Sequence, residues 1–159
     1  MELRRIRPDE HAAAGDVCVA AYEPFLTGAE DDYRDRLRDV ARRDAEAEVW
    51  VAVEGERLLG NVTFCRPGTP WREIARDDEG EFRMLAVDPA GQGLGAGTAL
   101  ATLCEERARA EGATGMALSS LATMAAAHRV YARLGYTRDP SRDWSPLPGV
   151  DLIAFHKVF

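Results

Sequence analysis

The sequence predicts a mixed α/β fold built on one sheet, and three observations support this. Strand-like and helix-like segments follow one another in the order β-α-α-β-β-β-α-β-α-β-β. Neither an internal repeat nor a Pro/Gly/Ser-rich linker divides the chain, and 159 residues suit one ordinary domain. We therefore expect a single domain over residues 1–159, with its helices packed on a shared sheet.

The composition indicates a globular protein and argues against several classes of partner. Apolar residues make up 46% of the chain, and 27 acidic residues outnumber 20 basic ones, for a formal charge of −7. This acidic balance argues against a nucleic-acid partner. Because no segment has the apolar character of a signal peptide or of a membrane span, we predict no membrane association and a cytoplasmic location. Cys18, Cys65 and Cys104 are far apart in apolar stretches, which predicts buried thiols and no metal site.

The first part of the chain is predicted to form a strand and two helices. Residues 2–7 alternate between apolar and charged side chains as far as Pro8, which indicates a short strand. Asp9 is placed to cap a helix that ends before Pro24. The charge-dense residues 29–48 carry apolar side chains at helical spacing and predict an amphipathic helix.

The middle of the chain is predicted to form three strands. Residues 49–53 and 58–65 read as a hairpin around the turn 54–56. Residues 66–79 contain prolines, a glycine and an acidic cluster, which predict a loop. A third strand, 81–87, ends at Asp88-Pro89.

Further helices and strands are predicted for the rest of the chain. A helix over 98–111 ends at Gly112, a strand covers 116–119, and a second helix over 123–134 ends at Gly135. Another strand begins at Tyr136, residues 139–149 are predicted to be irregular, and 150–158 form the last strand.

The glycine-rich turn after strand 81–87 predicts a phosphate site. It has glycines at 91, 93, 95 and 97, and a helix is predicted to start at the last of them. The first amides of a helix have no partner within it, and glycines let the backbone approach an anion closely. A P-loop is excluded because no lysine follows Gly97. The dinucleotide-binding pattern G-x-G-x-x-G fits only if Ala96 takes the place of its last glycine. Dinucleotide-binding domains also usually repeat βαβ units, whereas three strands precede this turn.

Two blocks of sequence are informative in their order and spacing. The first is Gln92-x-x-Gly95-x-Gly97, which follows a strand ending in Leu85-Ala86-Val87. The second is Ala127–Tyr136, with the pattern A-x-x-x-Y-x-x-L-G-aromatic. With these blocks the sequence resembles the GNAT acyltransferase superfamily, and the match covers about residues 49–138. The resemblance implies a mostly antiparallel sheet flanked by helices, in a GNAT-like acyl-CoA N-acyltransferase fold.

The resemblance implies that acetyl-CoA is the cofactor. Its pyrophosphate would lie on the backbone amides of the glycine-rich turn, and its pantetheine arm beside the end of strand 81–87, where neighbouring strands splay. The backbone N–H of Val87 would polarise the acetyl carbonyl. The residues implied for the pyrophosphate are Gln92, Gly93, Leu94, Gly95, Ala96, Gly97 and Thr98, and those for the arm are Leu85, Ala86 and Val87.

The resemblance also implies catalytic residues. Tyr131 matches the tyrosine that protonates the leaving sulfur, and Glu81 occupies the position of a glutamate that acts as base through water. Packing of Tyr131 and a surface role of Glu81 are the structural alternatives. Met124 stands where relatives often have an asparagine, so a hydrogen bond to the cofactor is lost or comes from Ser119, Ser120 or Thr123. His128 is one turn from Tyr131 and either assists it or is a solvent-facing or capping histidine.

The predicted acceptor side combines aromatic residues with carboxylates. Tyr22, Phe25, Trp71 and Trp144 fall in segments that border the acceptor groove of the family, beside the acidic loop 73–81. This combination suits a cationic amine, and residues 142–149 are the predicted specificity loop. We expect acetyl transfer to a small-molecule primary amine by direct attack. The alternatives are a protein or peptide amine as acceptor, or a non-catalytic acyl-CoA-binding regulatory domain; a homodimer is possible, since relatives are often dimers.

Overall fold

The computed structural model describes residues 1–26 and 31–159, whose strands form one sheet with helices on both faces. The strands are β1 (Glu2–Arg5), β2 (Glu48–Glu54), β3 (Arg57–Cys65), β4 (Glu79–Val87), β5 (Gly115–Leu121), β6 (Thr137–Arg138), β7 (Trp144–Leu147) and β8 (Val150–Val158). The helices are α1 (His11–Tyr22), α2 (Asp31–Arg38), α3 (Val40–Glu46), α4 (Ala96–Ala110) and α5 (Ala125–Arg133).

The sheet is mixed and mostly antiparallel. Its strands lie in the order β1-β2-β3-β4-β5-β8-β6, and β7 pairs with β8 beside this path. All of these pairs are antiparallel except β4 and β5, which run parallel and are joined by the crossover helix α4. The predicted fold class is therefore confirmed.

Two apolar layers attach the helices to the sheet. On one face, α4 crosses β3 and β4 over a core that includes Phe64, Phe82, Leu100 and Leu118, all of them at most 1% exposed. On the other face, α1 packs on β3 and β4 together with α2, and the core there contains Tyr22, Leu37, Trp71 and Met84, among others. The central strand β4 therefore presents side chains to both layers.

The predicted helix over 29–48 is wrong as one element. Its start lies outside the described residues, and the described part is two helices, α2 and α3. Asp39 separates them, since its side chain accepts a hydrogen bond from the Arg42 N–H at 3.3 Å and so caps α3.

Asp9 does not cap α1 as predicted. Pro8–Glu10 form a 3-10 turn, and the Glu10 carboxylate accepts from the Arg7 N–H at 2.9 Å and from the Arg4 guanidinium at 2.7 Å. These bonds close the 3-10 turn, and Glu10 precedes α1 without a side-chain cap bond to it, so that α1 begins at His11.

The last quarter of the chain is more regular than predicted. Strand β7 (Trp144–Leu147) lies within the segment predicted to be irregular, while the strand predicted from Tyr136 is only the short β6. All three cysteines are buried free thiols, as predicted. Within residues 1–26 and 31–159, none of the helices is long and apolar enough to cross a membrane.

Candidate active site

A cleft of about 500 Å³ lies where the end of β4, the start of α4 and one side of α5 meet. The side chains of Ala21 and Phe25 reach it from the end of α1 and the turn that follows. The wall that α4 and β4 contribute consists of Leu85, Val87, Gln92, Gly93, Gly95, Ala96, Gly97 and Thr98. The wall that α5 and its N-cap contribute consists of Met124, Ala126, Ala127, Arg129, Val130, Tyr131 and Arg133.

The cleft exists because β4 and β5 separate. Their parallel pairing ends at Phe82 and Leu118, after which β5 continues to pair with β8 alone. The pairing of β4 with β3 shifts register at this level, and Met84 has a φ of +52°, which marks a β-bulge. The bulge turns the last residues of β4 away from β5, as the predicted splay required.

The open edge of β4 offers backbone hydrogen-bonding groups to the cleft. The Asp88 N–H donates to the Leu59 carbonyl of β3 at 2.8 Å. Since consecutive residues of a strand direct their N–H and C=O groups to alternate edges, Val87 and Leu85 direct theirs toward the separated β5. The Leu85 carbonyl accepts the Tyr22 hydroxyl at 3.3 Å, in keeping with this assignment. The Val87 N–H is therefore free to bind a ligand that lies in the splay.

The glycine-rich turn ends in a helix N-terminus that faces the same cleft. Gly93 and Gly95 have φ values of +84° and +81°, a left-handed conformation in which side chains are strained. The first-turn N–H groups of α4, from Ala96 to Thr98, have no intrahelical acceptor and carry the positive end of the helix dipole. Arginines 129 and 133, one helical turn apart, line the facing wall.

The structure brings together eight of the ten predicted cofactor residues in the cleft wall. The exceptions are Ala86, which is 2% exposed and packs in the layer around α1, and Leu94, whose side chain is 53% exposed. Arg129 and Arg133 were not predicted from the sequence as cleft residues. Their i, i+4 spacing on either side of Tyr131 was visible in the sequence.

Tyr131 lines the cleft from α5 and is held in an aromatic cluster. Its ring lies 5.8 Å from that of Phe155 and 6.1 Å from those of Phe82 and Tyr136, measured between centroids. Burial raises the pKa of its phenol, while a hydrogen bond with Ser120 opposes the shift. The hydroxyl is therefore protonated at neutral pH, as a proton donor must be.

His128 lies beside this cluster rather than facing solvent. Its Nε2 atom is 3.2 Å from the Ser120 hydroxyl and 3.1 Å from the Leu121 carbonyl, and its ring lies 5.1 Å from that of Phe155. Burial lowers the pKa of this imidazole. His128 thus contacts Ser120, whose side chain opposes the rise in the pKa of Tyr131.

Glu81 is not brought into the cleft. It is fully buried on the other face of β4, and its carboxylate accepts hydrogen bonds from three consecutive backbone N–H groups, those of Glu73, Ile74 and Ala75, at 2.8 to 3.2 Å. Burial raises the pKa of this carboxyl, and the three backbone donors oppose the shift. Its base role stays a prediction, but the geometry supports a structural role in holding the loop before β4.

The predicted acceptor aromatics divide between two places. Phe25 lines the cleft, and Tyr22 contacts the Leu85 carbonyl at its edge. Trp71 and Trp144 lie at the base of the splay on the α1 face, against the guanidinium of Arg83 at 6.0 and 5.1 Å. Their rings already contact a cation of the protein itself.

Most carboxylates of the acidic loop are engaged in internal contacts. Glu79 is paired with Arg142 at 2.7 Å, and the Asp78 carboxylate lies 3.3 Å from the Thr114 hydroxyl. With Glu81 bound to backbone amides as well, these carboxylates do not form the open anionic surface that a cationic acceptor was predicted to meet. The sequence did not reveal this, because it shows where charges lie but not which partners neutralise them.

Comparison with known proteins agrees with this geometry. The model of the acetyltransferase (GNAT) family matches residues 11–136. A mycothiol acetyltransferase of Cellulomonas flavigena is 31% identical over 134 residues; the match covers 74% of this chain but spans only 38% of the length of that relative. Two solved structures share the fold over 99% of this chain. One is yncA of Salmonella typhimurium with acetyl-CoA; the match covers 93% of that chain, with a TM-score of 0.68 and 23% sequence identity. The other is the PaiA N-acetyltransferase of Thermoplasma acidophilum with coenzyme A; the match covers 98% of that chain, with a TM-score of 0.72 and 13% sequence identity. Since the family model spans most of the chain, the chain belongs to the acetyltransferase (GNAT) family.

Proposed function

We propose that this chain is an acetyl-CoA-dependent N-acetyltransferase that acts on the primary amine of a small molecule. The observation that carries the proposal is the convergence of three features on one cleft. These are the open edge of β4 at Val87, the unpaired amides at the start of α4, and the buried hydroxyl of Tyr131. The open edge would bind the peptide-like pantetheine arm of an acyl-CoA, the unpaired amides would bind its pyrophosphate, and the hydroxyl would face its leaving sulfur.

The residues of the cleft fit this group on physical grounds. The α4 amides and the helix dipole attract a diphosphate, and Arg129 and Arg133 add positive charge from the opposite wall. Gly97 lines this wall in the first turn of α4 and has no side chain that would project over the helix amides. Relatives support the choice, because two proteins of the same fold were solved with coenzyme A or acetyl-CoA and a 31% identical relative is an acetyltransferase.

Each residue would contribute a distinct step. When bound, acetyl-CoA supplies an activated acyl group. The Val87 N–H would donate to its carbonyl oxygen and stabilise the negative charge that develops there during amine attack. Tyr131 would hold a proton for the departing sulfur, and burial of that sulfur in the same cleft would raise its proton affinity as well. Water is the default acceptor of the ammonium proton, with Glu81 as the predicted alternative.

Replacement of Tyr131 tests the proposal. With purified protein, acetyl-CoA and a panel of small amines, thiol release should be observed, and Tyr131→Phe should lower kcat by about 100-fold or more, the usual range for a general acid. The affinity for coenzyme A should change little, since the ring and its packing remain. Tyr136→Phe is the matched control, because Tyr136 lies in the same aromatic cluster outside the cleft wall.

The same assay separates the alternatives. Acetylation of peptides but of no free amine would favour a protein acceptor. Coenzyme A binding without thiol release from any acceptor would indicate a regulatory binding domain. An unchanged kcat in Tyr131→Phe would remove the assignment of the proton donor.

A further inference from the structure

Arg83 is a buried cation whose hydrogen-bonding capacity is largely unused. It is 6% exposed, and its guanidinium donates one hydrogen bond to a described residue, to the Trp71 carbonyl at 3.2 Å. Glu73 lies 4.0 Å away and is itself 37% exposed, so it neutralises this charge only weakly. A guanidinium has five N–H donors, and those of Arg83 without a protein partner keep some contact with solvent, so that a ligand can reach them.

Another buried arginine of the same layer, Arg43, has several hydrogen-bond acceptors within the protein. Arg43 is 0% exposed and donates to the Thr63 hydroxyl at 3.1 Å, to the Leu37 carbonyl at 3.0 Å and to the Arg36 carbonyl. Arg43 thus has a structural set of acceptors. Arg83 has no comparable set among the described residues, which leaves its free N–H groups for a ligand.

The position of Arg83 places it at the acceptor side of the splay. It is the first residue of β4 after Phe82, where pairing with β5 stops, and Ser119 is the corresponding first residue of β5. Trp144 spans the gap, because its indole N–H donates to the Ser119 hydroxyl at 3.2 Å while its ring lies 5.1 Å from the Arg83 guanidinium. Phe82 packs against Tyr131 on the opposite face. A group bound at Arg83 therefore lies across the sheet from the proposed proton donor, beside the open edge.

The spacing along β4 limits how far such a group can be from the reacting amine. Val87, whose N–H is proposed to hold the acetyl carbonyl, is four residues beyond Arg83, or about 13 Å along an extended strand and less through the bulge. A ligand that touches both places therefore needs a chain of several bonds between its anionic group and its amine. The aromatic contacts leave the N–H edge of the guanidinium to form hydrogen bonds in its own plane, and a planar carboxylate is the group that matches this edge in two bonds.

We propose that Arg83 binds a carboxylate of the acceptor, so that the preferred substrate is an amino acid whose amine and carboxylate are several bonds apart. This inference rests on the proposed acetyltransferase function and replaces the expectation of an acceptor that is only cationic. Trp71 and Trp144 then serve to hold Arg83 and to cover the carboxylate from water, which strengthens the ion pair.

The test uses matched acceptor pairs that differ only in the carboxylate. 4-Aminobutyrate is compared with propylamine, and 6-aminohexanoate with pentylamine, with phenylalanine and β-alanine added to vary the distance between charges. Thiol release measures turnover, and quenching of tryptophan emission in the presence of coenzyme A measures binding without chemistry. The variants are Arg83→Lys and Arg83→Met. Arg42→Met is the control, since Arg42 lies 5.8 Å from the same Trp71 ring but is 61% exposed and paired with Glu46.

We expect each effective amino acid to exceed its decarboxylated partner by about 10- to 100-fold in kcat/KM, the range of a charge-assisted bidentate contact. Arg83→Met should abolish this preference mainly through KM, Arg83→Lys should reduce it, and Arg42→Met should keep it. Equal use of both members of each pair by the natural protein, or no binding of any of the amino acids, would overturn the inference even where the variants fail to fold. If nothing is acetylated but emission still reports amino acids over amines, this inference stands and the acetyltransferase proposal fails.

Discussion

A charge placed at the second residue of α4 should affect folding and cofactor binding in opposite directions. Gly97 lies in the first turn of the helix and lines the cleft. Its φ is not in the left-handed region, and an added Cβ would meet only the Val87 methyl at 3.4 Å. Gly97→Glu should therefore fit the backbone without strain. Its carboxylate would lie at the helix end that we propose as the pyrophosphate site.

The two effects have different sizes. Replacing a helical glycine by glutamate, together with a negative charge at the N-terminus, should add about 1 kcal/mol to the free energy of unfolding. Two like charges about 5 Å apart repel by roughly 3 kcal/mol at an effective dielectric of about 20. Solvent in an open cleft reduces this, so we expect a loss of about 1.5 kcal/mol in binding of coenzyme A, or about tenfold in Kd.

Gly97→Gln is the matched variant, because it has the same shape and helix propensity without the charge. Isothermal titration with coenzyme A and thermal melting of both variants give the comparison. Gly97→Glu should melt about 2–4 °C above the natural protein and bind coenzyme A about tenfold more weakly than Gly97→Gln, with a gap that narrows at high salt. Equal affinities of the two variants would refute the assignment of the anion site to this helix end.

Two further predictions concern the buried carboxylates. Glu81→Gln should lower the free energy of unfolding by about 1–3 kcal/mol, because one amide oxygen replaces two carboxylate oxygens as the acceptor for three backbone N–H groups. The same variant should leave the pH dependence of kcat unchanged. If the decrease of kcat at acidic pH is lost instead, the result would support the base role. Arg142 and the Arg76 N–H hold the pKa of Glu79 below its usual value despite burial, so the stability that Glu79 contributes is present above about pH 4.5 and declines as the pH falls below that value. Glu79→Gln should therefore be about 2 kcal/mol less stable than the natural protein at pH 7, with a difference that shrinks toward pH 3 in chemical denaturation; a constant difference would contradict the assigned pKa shift.

Much of the fold was predictable because its signals are local. Apolar segments on either side of a short turn marked β2 and β3, and the glycines at 93 and 95 marked a turn whose left-handed backbone conformation the structure contains. The cofactor wall followed from the same local pattern. A strand that leads into glycines and then into a helix places unpaired amides at a known point, whatever the rest of the chain does.

The acceptor side was less predictable because it depends on contacts between distant segments. The bulge at Met84 arises from the register of β4 on β3, and it decides that Arg83 and Met84 share one face. Glu81 looked like a candidate base in the strand, but residues 73–75 fold back onto it and supply its three donors. The strand β7 depends on pairing with β8, which its proline, Pro146, and its short length concealed.

The formal charge of −7 is a poor guide to the charge that a ligand meets. Glu79 and Glu81, which suggested an anionic acceptor site, are bound to Arg142 and to backbone amides. The cations at the site are Arg129 and Arg133 in the cleft wall and Arg83 at the base of the splay, which keeps most of its donors unused. The electrostatic potential that a ligand meets is set by the charged groups that folding leaves without a partner of opposite charge. Both the cleft wall and the base of the splay should therefore attract anions. An acidic protein of this design would bind a polyanionic donor on one side of the sheet and a carboxylate-bearing amine on the other.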